Sequence, residues 1–195
     1  MFDLERFIED CRRARLEDES HKAVREVVAA AVAEPGAVMA ALGEPEEAGF
    51  KTLYRSDELT ILNFTWAPLM TLIPHNHNMW AVIGLTSGRE DNIFWRKDGK
   101  RIEAAGAKSL MPGRAATLGP DVVHSVTNPI EKLTSALHVY GGDFFAPGRS
   151  EWDPETLEER PFDIENSRRL FREANARFAL AGNGGAGAAR DEGSV

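Results

Sequence analysis

The chain has 195 residues and a formal net charge of −8, with 43% hydrophobic and 28% charged side chains. This composition is typical of one soluble globular domain, and the acidic balance disfavours nucleic-acid binding, which requires a basic face. No stretch approaches the roughly 18 consecutive apolar residues of a membrane helix. The N terminus is charged from Asp3 onwards, unlike a signal peptide. The only cysteine, Cys11, leaves no intrachain disulfide, so we expect a cytoplasmic protein without membrane partners.

The first third of the chain shows apolar residues at helical spacing. In the first predicted helix the apolar residues are Leu4, Phe7, Ile8 and Cys11. Ser20 is a candidate N-cap for a second helix, which Pro35 and Gly36 end. A short third helix is predicted over 37–42. We therefore predict a helical part over 1–45.

The middle of the chain, about 50–145, changes to short runs of β-type residues separated by Gly, Pro and Asp. The clearest runs are 59–66, 79–85, 92–97, 121–126 and 134–140. Many short strands at close spacing predict a β-sandwich or a barrel, of which the jelly roll is one form.

After Pro147 the chain is predicted to be loop-like until an amphipathic helix at about 163–180. The Gly-rich tail, 182–195, has no large apolar side chains beyond a terminal valine to bury in a core and is predicted to be disordered. The sequence thus indicates a single domain over 1–181.

Three histidines of the β region form a candidate metal site. His75 and His77 lie two apart where a strand is predicted to begin, so both rings would face one side while Asn76 faces the other. His124 lies on a separate run. Three neutral imidazoles suit iron, zinc, copper or nickel and leave coordination positions open.

The surroundings of these histidines resemble the two sequence motifs of the cupin superfamily. The matching residues are His75, His77, Gly88, Pro120, His124 and Asn128. Ala81 and Val82 occupy the places of the glutamate ligand that the first motif normally carries. The resemblance implies an all-β core: a cupin double-stranded β-helix (jelly-roll) barrel, here with N-terminal helices and one C-terminal helix.

Among cupins, the thiol dioxygenases bind iron(II) through three histidines alone, and two segments resemble theirs. HNHNMWAVIGLTSG is similar to their first motif and includes Trp80, which we consider a candidate substrate-binding residue. ALHVYGGDFF is similar to the segment that places a His and a Tyr beside the iron, here His138 and Tyr140. The resemblance implies that His75, His77 and His124 hold the metal and that His138 and Tyr140 serve catalysis.

Three positions depart from that family's pattern. Ala136 stands where a serine often precedes the histidine, and Val82 stands where the mammalian enzymes have the cysteine that cross-links to tyrosine. The arginine that holds a substrate carboxylate has no clear counterpart. Arg55 is our candidate, and Arg96 and Arg114 remain alternatives.

The expected function is that of an iron(II) dioxygenase, similar to cysteine dioxygenase, that oxidises a small thiol of the cysteine or 3-mercaptopropionate type to a sulfinic acid with O2. Zinc or nickel could replace Fe(II) in purified protein. Two alternatives stay open: a three-histidine oxygenase acting on a non-thiol such as a diketone, and a non-catalytic cupin that binds a metal or ligand. The sequence leaves open whether the protein forms a homodimer.

Overall fold

A computed structural model describes residues 1–18, 20–99 and 101–185. In these ranges the helices are α1 (Leu4–Glu17), α2 (His21–Val32), α3 (Pro35–Leu42) and α4 (Ile164–Gly185). The strands are β1 (Gly49–Arg55), β2 (Thr60–Trp66), β3 (Thr71–Asn76), β4 (Ala81–Ser87), β5 (Glu90–Asp98), β6 (Arg101–Leu110), β7 (Ala115–Leu118), β8 (Val123–Thr127), β9 (Thr134–Tyr140), β10 (Ser150–Trp152) and β11 (Glu159–Pro161). None of the described helices combines the length and the apolar character needed to cross a bilayer.

The helix boundaries follow local signals in the sequence. The Ser20 hydroxyl accepts a hydrogen bond from the backbone N–H of Lys22, which confirms the predicted N-cap of α2. Pro35 occupies the first turn of α3, where its missing N–H has no intrahelical partner to lose. Gly43 ends that helix with φ of 90°, a conformation that favours glycine.

The strands form two antiparallel sheets that face each other. One sheet has the order β1-β2-β9-β4-β7 and the other β11-β10-β3-β8-β5-β6. Strands distant in sequence are neighbours in both sheets, as β2 with β9 and β3 with β8 show. The fold is the predicted cupin double-stranded β-helix, flanked by N-terminal helices and one C-terminal helix.

Strand β9 is buried along its whole length because both faces of its sheet are covered. Ala136 and Tyr140 belong to the core between the sheets. Leu137 and Val139 point the other way and pack in the core beneath the N-terminal helices. The alternation along β9 therefore brings every second residue, including His138, into the barrel.

Helix α2 packs closely on β4 at Gly84. A Cβ atom built on Gly84 would lie 2.6 Å from Cγ1 of Val28 and 2.7 Å from Cγ1 of Val32. We expect Gly84→Val to lower the free energy of unfolding by about 1–3 kcal/mol, because overpacking displaces both valines. Urea denaturation measures this change. Gly106→Ala on exposed β6 is the control, since a Cβ atom at Gly106 would have no neighbour within 4 Å. An equal loss of unfolding free energy in both variants would contradict the close packing at Gly84.

The segment after Pro147 is more regular than the sequence predicts. Strands β10 and β11 form there, and β10 pairs with the edge of β3 through Glu151 and His75. Each has only three residues, too few for alternation to be recognised in the sequence. Helix α4 then packs on the barrel core through Phe171 and Ala174. It includes 182–185 of the tail predicted to be disordered, whereas 186–195 lie outside the described residues.

Candidate metal centre

Two neighbouring strands of one sheet supply the three histidines. β3 carries His75 at its end and is followed by His77, while β8 carries His124 directly opposite His75. The sequence predicts that the pair lies at the start of a strand. That prediction is wrong: the pair lies at the end of β3, because the ladder between β3 and β8 ends at Asn76. The side-chain directions still agree with the prediction: both histidines are buried, and the Oδ1 atom of Asn76 instead accepts a hydrogen bond from the backbone of Ser150.

The imidazole nitrogens converge on one point. Nε2 of His77 lies 3.2 Å from Nε2 of His75 and 3.4 Å from Nε2 of His124. One ligand atom from each of the three residues lies within 4.8 Å of the others. Nitrogens bound at about 2.0–2.1 Å to one ion are separated by roughly 3.0–3.4 Å, so the spacing fits a single metal. The predicted grouping is confirmed, and the three histidines could hold a metal ion.

Hydrogen bonds fix which ring nitrogen of two histidines faces that point. Nδ1 of His75 donates to the carbonyl of Ile73 at 2.9 Å, and Nδ1 of His124 donates to Oδ1 of Asn92 at 2.7 Å. Their Nε2 atoms therefore carry lone pairs rather than protons. The Nε2 lone pairs of His75 and His124 both lie beside Nε2 of His77, and this donor set fits a metal.

Burial keeps the three rings in the neutral form that binds metals. It lowers the pKa of His75 to about 4, with a smaller contribution from the charge of Arg149. Burial and the neighbouring histidines place the pKa of His77 and of His124 well below the ordinary value of an imidazole.

His138 and Tyr140 line the same cavity from the opposite sheet. Nδ1 of His138 lies 2.9 Å from the Tyr140 hydroxyl, and the Tyr140 ring centroid lies 5.0 Å from that of His77. Burial raises the pKa of Tyr140, so its hydroxyl keeps its proton. Ser135, next to Ala136, donates to the carbonyl of Phe64. The histidine–tyrosine pair is therefore formed without a serine.

Arg149 is the residue of this site that sequence reasoning missed. It is 7% exposed, and its guanidinium carbon lies 4.3 Å from the Phe144 ring centroid and 4.0 Å from that of Phe162. Its Nε and Nη1 atoms are buried and have no hydrogen-bond partner among the described residues. Burial lowers the pKa of Arg149 to about 10, and it remains a cation at neutral pH. The one signal in the sequence is its aromatic surroundings, with Phe144 and Trp152 nearby.

Arg55, the predicted carboxylate-binding residue, lies outside the histidine cavity, in an outer cavity that Arg149 also lines. Its Nε and Nη2 atoms donate to the two carboxylate oxygens of Asp143 at 2.8 and 2.7 Å, and half of its side chain is exposed. It lines an open cavity of about 610 Å3 outside the histidines. Its role in substrate binding stays a prediction, and its charge is already paired.

Trp80 also lies away from the histidine cavity. It belongs to the core beneath the N-terminal helices, and its indole is so close to Gly141 that a Cβ there would lie 2.2 Å from it. The residues that line the histidine cavity do not include it. Its candidate role in substrate binding stays a prediction.

The cavity at the histidines is nearly filled. It has only about 20 Å3 of free space, enough for about one water molecule. The outer cavity adjoins it, and the two share Phe50, Phe162 and Ile164 in their linings. Arg149 lines the outer cavity at this junction. A substrate would have to move side chains at the junction to reach the histidines.

Comparisons with known proteins find cupins. No protein-family model matches the sequence. Similar solved structures include a cupin superfamily protein from Desulfitobacterium hafniense, with 17% identity, a TM-score of 0.43 and coverage of 54% of this chain and 88% of that one. A cupin family protein from Methanocaldococcus jannaschii has 10% identity, a TM-score of 0.44 and coverage of 52% and 85%. A DMSP lyase from Ruegeria pomeroyi has 16% identity, a TM-score of 0.42 and coverage of 52% and 50%.

Likenesses this distant say nothing about the reaction of this chain. Its fold is established by its own strand order and register.

Proposed function

We propose that this protein is an iron(II) thiol dioxygenase that converts a small thiol bearing a carboxylate into a sulfinic acid. The observation that carries the proposal is a buried arginine without a hydrogen-bond partner on its Nε and Nη1 among the described residues, at the junction between the outer cavity and the cavity of the three converging neutral histidines. In the overall reaction both atoms of O2 are added to sulfur. The sulfur supplies all the electrons that O2 takes up, so no further reductant is needed.

The three-histidine set suits an anionic ligand. A metal held only by neutral imidazoles keeps its full positive charge, which favours a thiolate over a thiol. Iron(II) in this position would supply the redox chemistry and the coordination positions for thiolate and oxygen. The similarity of the segments around His75 and His138 to those of the thiol dioxygenases supports the choice of sulfur as the reacting atom.

The surroundings of Arg149 are the reason for proposing a carboxylate on the substrate. A guanidinium buried against Phe144 and Phe162 gains from a bidentate carboxylate partner, which would satisfy its free N–H groups. The described lining of the histidine cavity contains no Asp or Glu that could pair with an ammonium group. We therefore expect 3-mercaptopropionate to be a better substrate than cysteine, whose amino group would be buried without a partner.

Tyr140 is expected to hydrogen-bond the reacting groups. Tyr140→Phe should keep its iron but lose about 10- to 100-fold in turnover, because it removes only the hydroxyl beside the metal. Iron content and kcat measured on the same samples give the result. Tyr54→Phe is a matched control, since Tyr54 is the only other tyrosine and lies half-buried on β1. Wild-type turnover in Tyr140→Phe would mean that this tyrosine only packs.

A panel of thiols tests the proposed function directly. Protein loaded anaerobically with iron(II) is given 3-mercaptopropionate, cysteine or cysteamine together with 18O2, and the products are identified by mass spectrometry. We expect a sulfinic acid with two labelled oxygens from 3-mercaptopropionate. Oxygen consumption with a diketone but with no thiol would point to the carbon–carbon cleaving alternative. No turnover of either class with iron fully bound would favour a non-catalytic cupin.

A further inference from the structure

Glu90 is a carboxylate buried inside the barrel that the proposed chemistry has not used. It begins β5 and is 0% exposed. Its Oε2 accepts a hydrogen bond from Nε1 of Trp66 at 3.1 Å, and its Oε1 accepts one from Nδ2 of Asn92 at 2.9 Å. A carboxylate is seldom buried completely unless other groups pair with it or donate hydrogen bonds to it.

One side of Glu90 faces the histidine–tyrosine pair. Oε2 lies 3.6 Å from Nε2 of His138, whose Nδ1 contacts the Tyr140 hydroxyl. Nε2 of His138 has no hydrogen-bond partner elsewhere in the described part of the chain. Burial by itself would raise the pKa of Glu90, but His138 and the two hydrogen bonds outweigh it and lower that pKa. Glu90 is thus an anion opposite Nε2 of His138.

The other side of Glu90 connects to the candidate metal ligands. Asn92 donates through Nδ2 to Glu90 and accepts through Oδ1 from Nδ1 of His124. Because the carboxylate only accepts, Asn92 must turn its amide nitrogen to Glu90 and its oxygen to His124. The Nδ1 proton of His124 and the free Nε2 lone pair both follow from this orientation.

We propose that Glu90 is a positioning residue that sets the proton on Nε2 of His138 and, through Asn92, the tautomer of His124. With the proton on Nε2, the His138 ring keeps Nδ1 towards Tyr140, which fixes the direction of that hydroxyl. Only the expected change in turnover rests on the proposed function. The tautomers of His138 and His124 can be measured without a substrate.

Glu90→Gln tests this without removing volume. Glutamine offers one oxygen, whereas Trp66, Asn92 and His138 all present N–H groups to the carboxylate. In either orientation its amide N–H2 meets another N–H donor. Either the contact with His138 or the connection through Asn92 to His124 must therefore break. The matched control is Glu103→Gln on β6, an exposed glutamate paired with Arg96.

Two readouts are independent of turnover. The first is the set of ring nitrogen shifts of the five histidines in zinc-loaded, 15N-labelled protein, which report the tautomer of each ring. The second is the affinity of the apoprotein for zinc. We expect Glu90→Gln either to alter the His138 nitrogen shifts or to lose about 10-fold in zinc affinity, according to which connection breaks, while Glu103→Gln matches wild type. Unchanged His138 shifts together with unchanged zinc affinity would overturn the proposal.

A second variant separates positioning from simple loss of packing. In Glu90→Gln with Asn92→Asp, the carboxylate moves to position 92, where it accepts from both the amide introduced at position 90 and Nδ1 of His124. Zinc affinity should recover, because the connection to His124 is restored. If Glu90→Gln loses zinc affinity and the double variant does not regain it, the connection through Asn92 is wrong.

If a thiol is turned over, Glu90→Gln should lower kcat about 10-fold and leave KM unchanged, since Glu90 does not touch the substrate. If no thiol reacts, the nitrogen shifts and zinc affinities still decide the role of Glu90. Failure of the proposed thiol oxidation and failure of the proposed role of Glu90 can therefore be told apart.

Discussion

Replacing His124 with alanine is expected to abolish iron binding and thiol oxidation together. Its Nε2 lies 3.4 Å from that of His77, and the β3–β8 register holds it opposite His75, so two imidazoles alone would remain. Loss of a group that only supports a ligand already costs 10- to 100-fold in metal affinity, and loss of a ligand should cost more than about 100-fold. Iron per chain after anaerobic loading and desalting measures the effect.

The control for this experiment is His21→Ala. His21 begins α2, away from the barrel interior, and should leave the iron content unchanged. Circular dichroism on both variants checks that the barrel is folded. Near-stoichiometric iron in a folded His124→Ala variant would mean that the metal is bound elsewhere, and the proposed function would fall with it.

Replacing Arg149 with methionine is expected to raise KM for 3-mercaptopropionate by at least about 30-fold. Removing one partner of a buried hydrogen-bonded charge pair costs roughly 2–5 kcal/mol, and each 1.4 kcal/mol is about tenfold. A thiol without a carboxylate, such as cysteamine, should lose far less. The ratio of kcat/KM for the two substrates therefore isolates the contribution of the carboxylate.

Arg55→Met is the informative comparison for Arg149. Arg55 already pairs with Asp143 and is half exposed, so its loss should leave KM for the acidic thiol within about twofold. The reverse result, with KM raised by Arg55→Met and unchanged by Arg149→Met, would restore Arg55 as the carboxylate-binding residue.

Arg149→Met should also increase stability in the absence of substrate. The guanidinium is buried with Nε and Nη1 unpaired among the described residues, and methionine of similar length carries no such cost. A higher melting temperature combined with a higher KM would be the trade-off expected of a binding site. A fall in both stability and affinity would instead indicate that Arg149 has a structural role.

Much of the barrel and the metal centre could be predicted from local sequence. The run 134–140 became β9, because its residues suit a strand buried on both faces. Period-two alternation placed His75 with His77, and His138 with Tyr140, on common faces. The motif context then connected His124 to the first pair. Strand formation and side-chain alternation are properties of a single strand, and residues adjacent in the sequence determine them.

The charged residues of the site depended on tertiary structure. Arg149 lines the outer cavity because the three-residue strand β10 that follows it pairs with β3, and no local sequence pattern predicts that pairing. Glu90 is buried where Trp66 of β2 and His138 of β9 meet it, whereas a glutamate read alone is expected at the surface. Sequence periodicity determines which way a side chain points. Which distant group compensates a buried charge is decided only when the two sheets close.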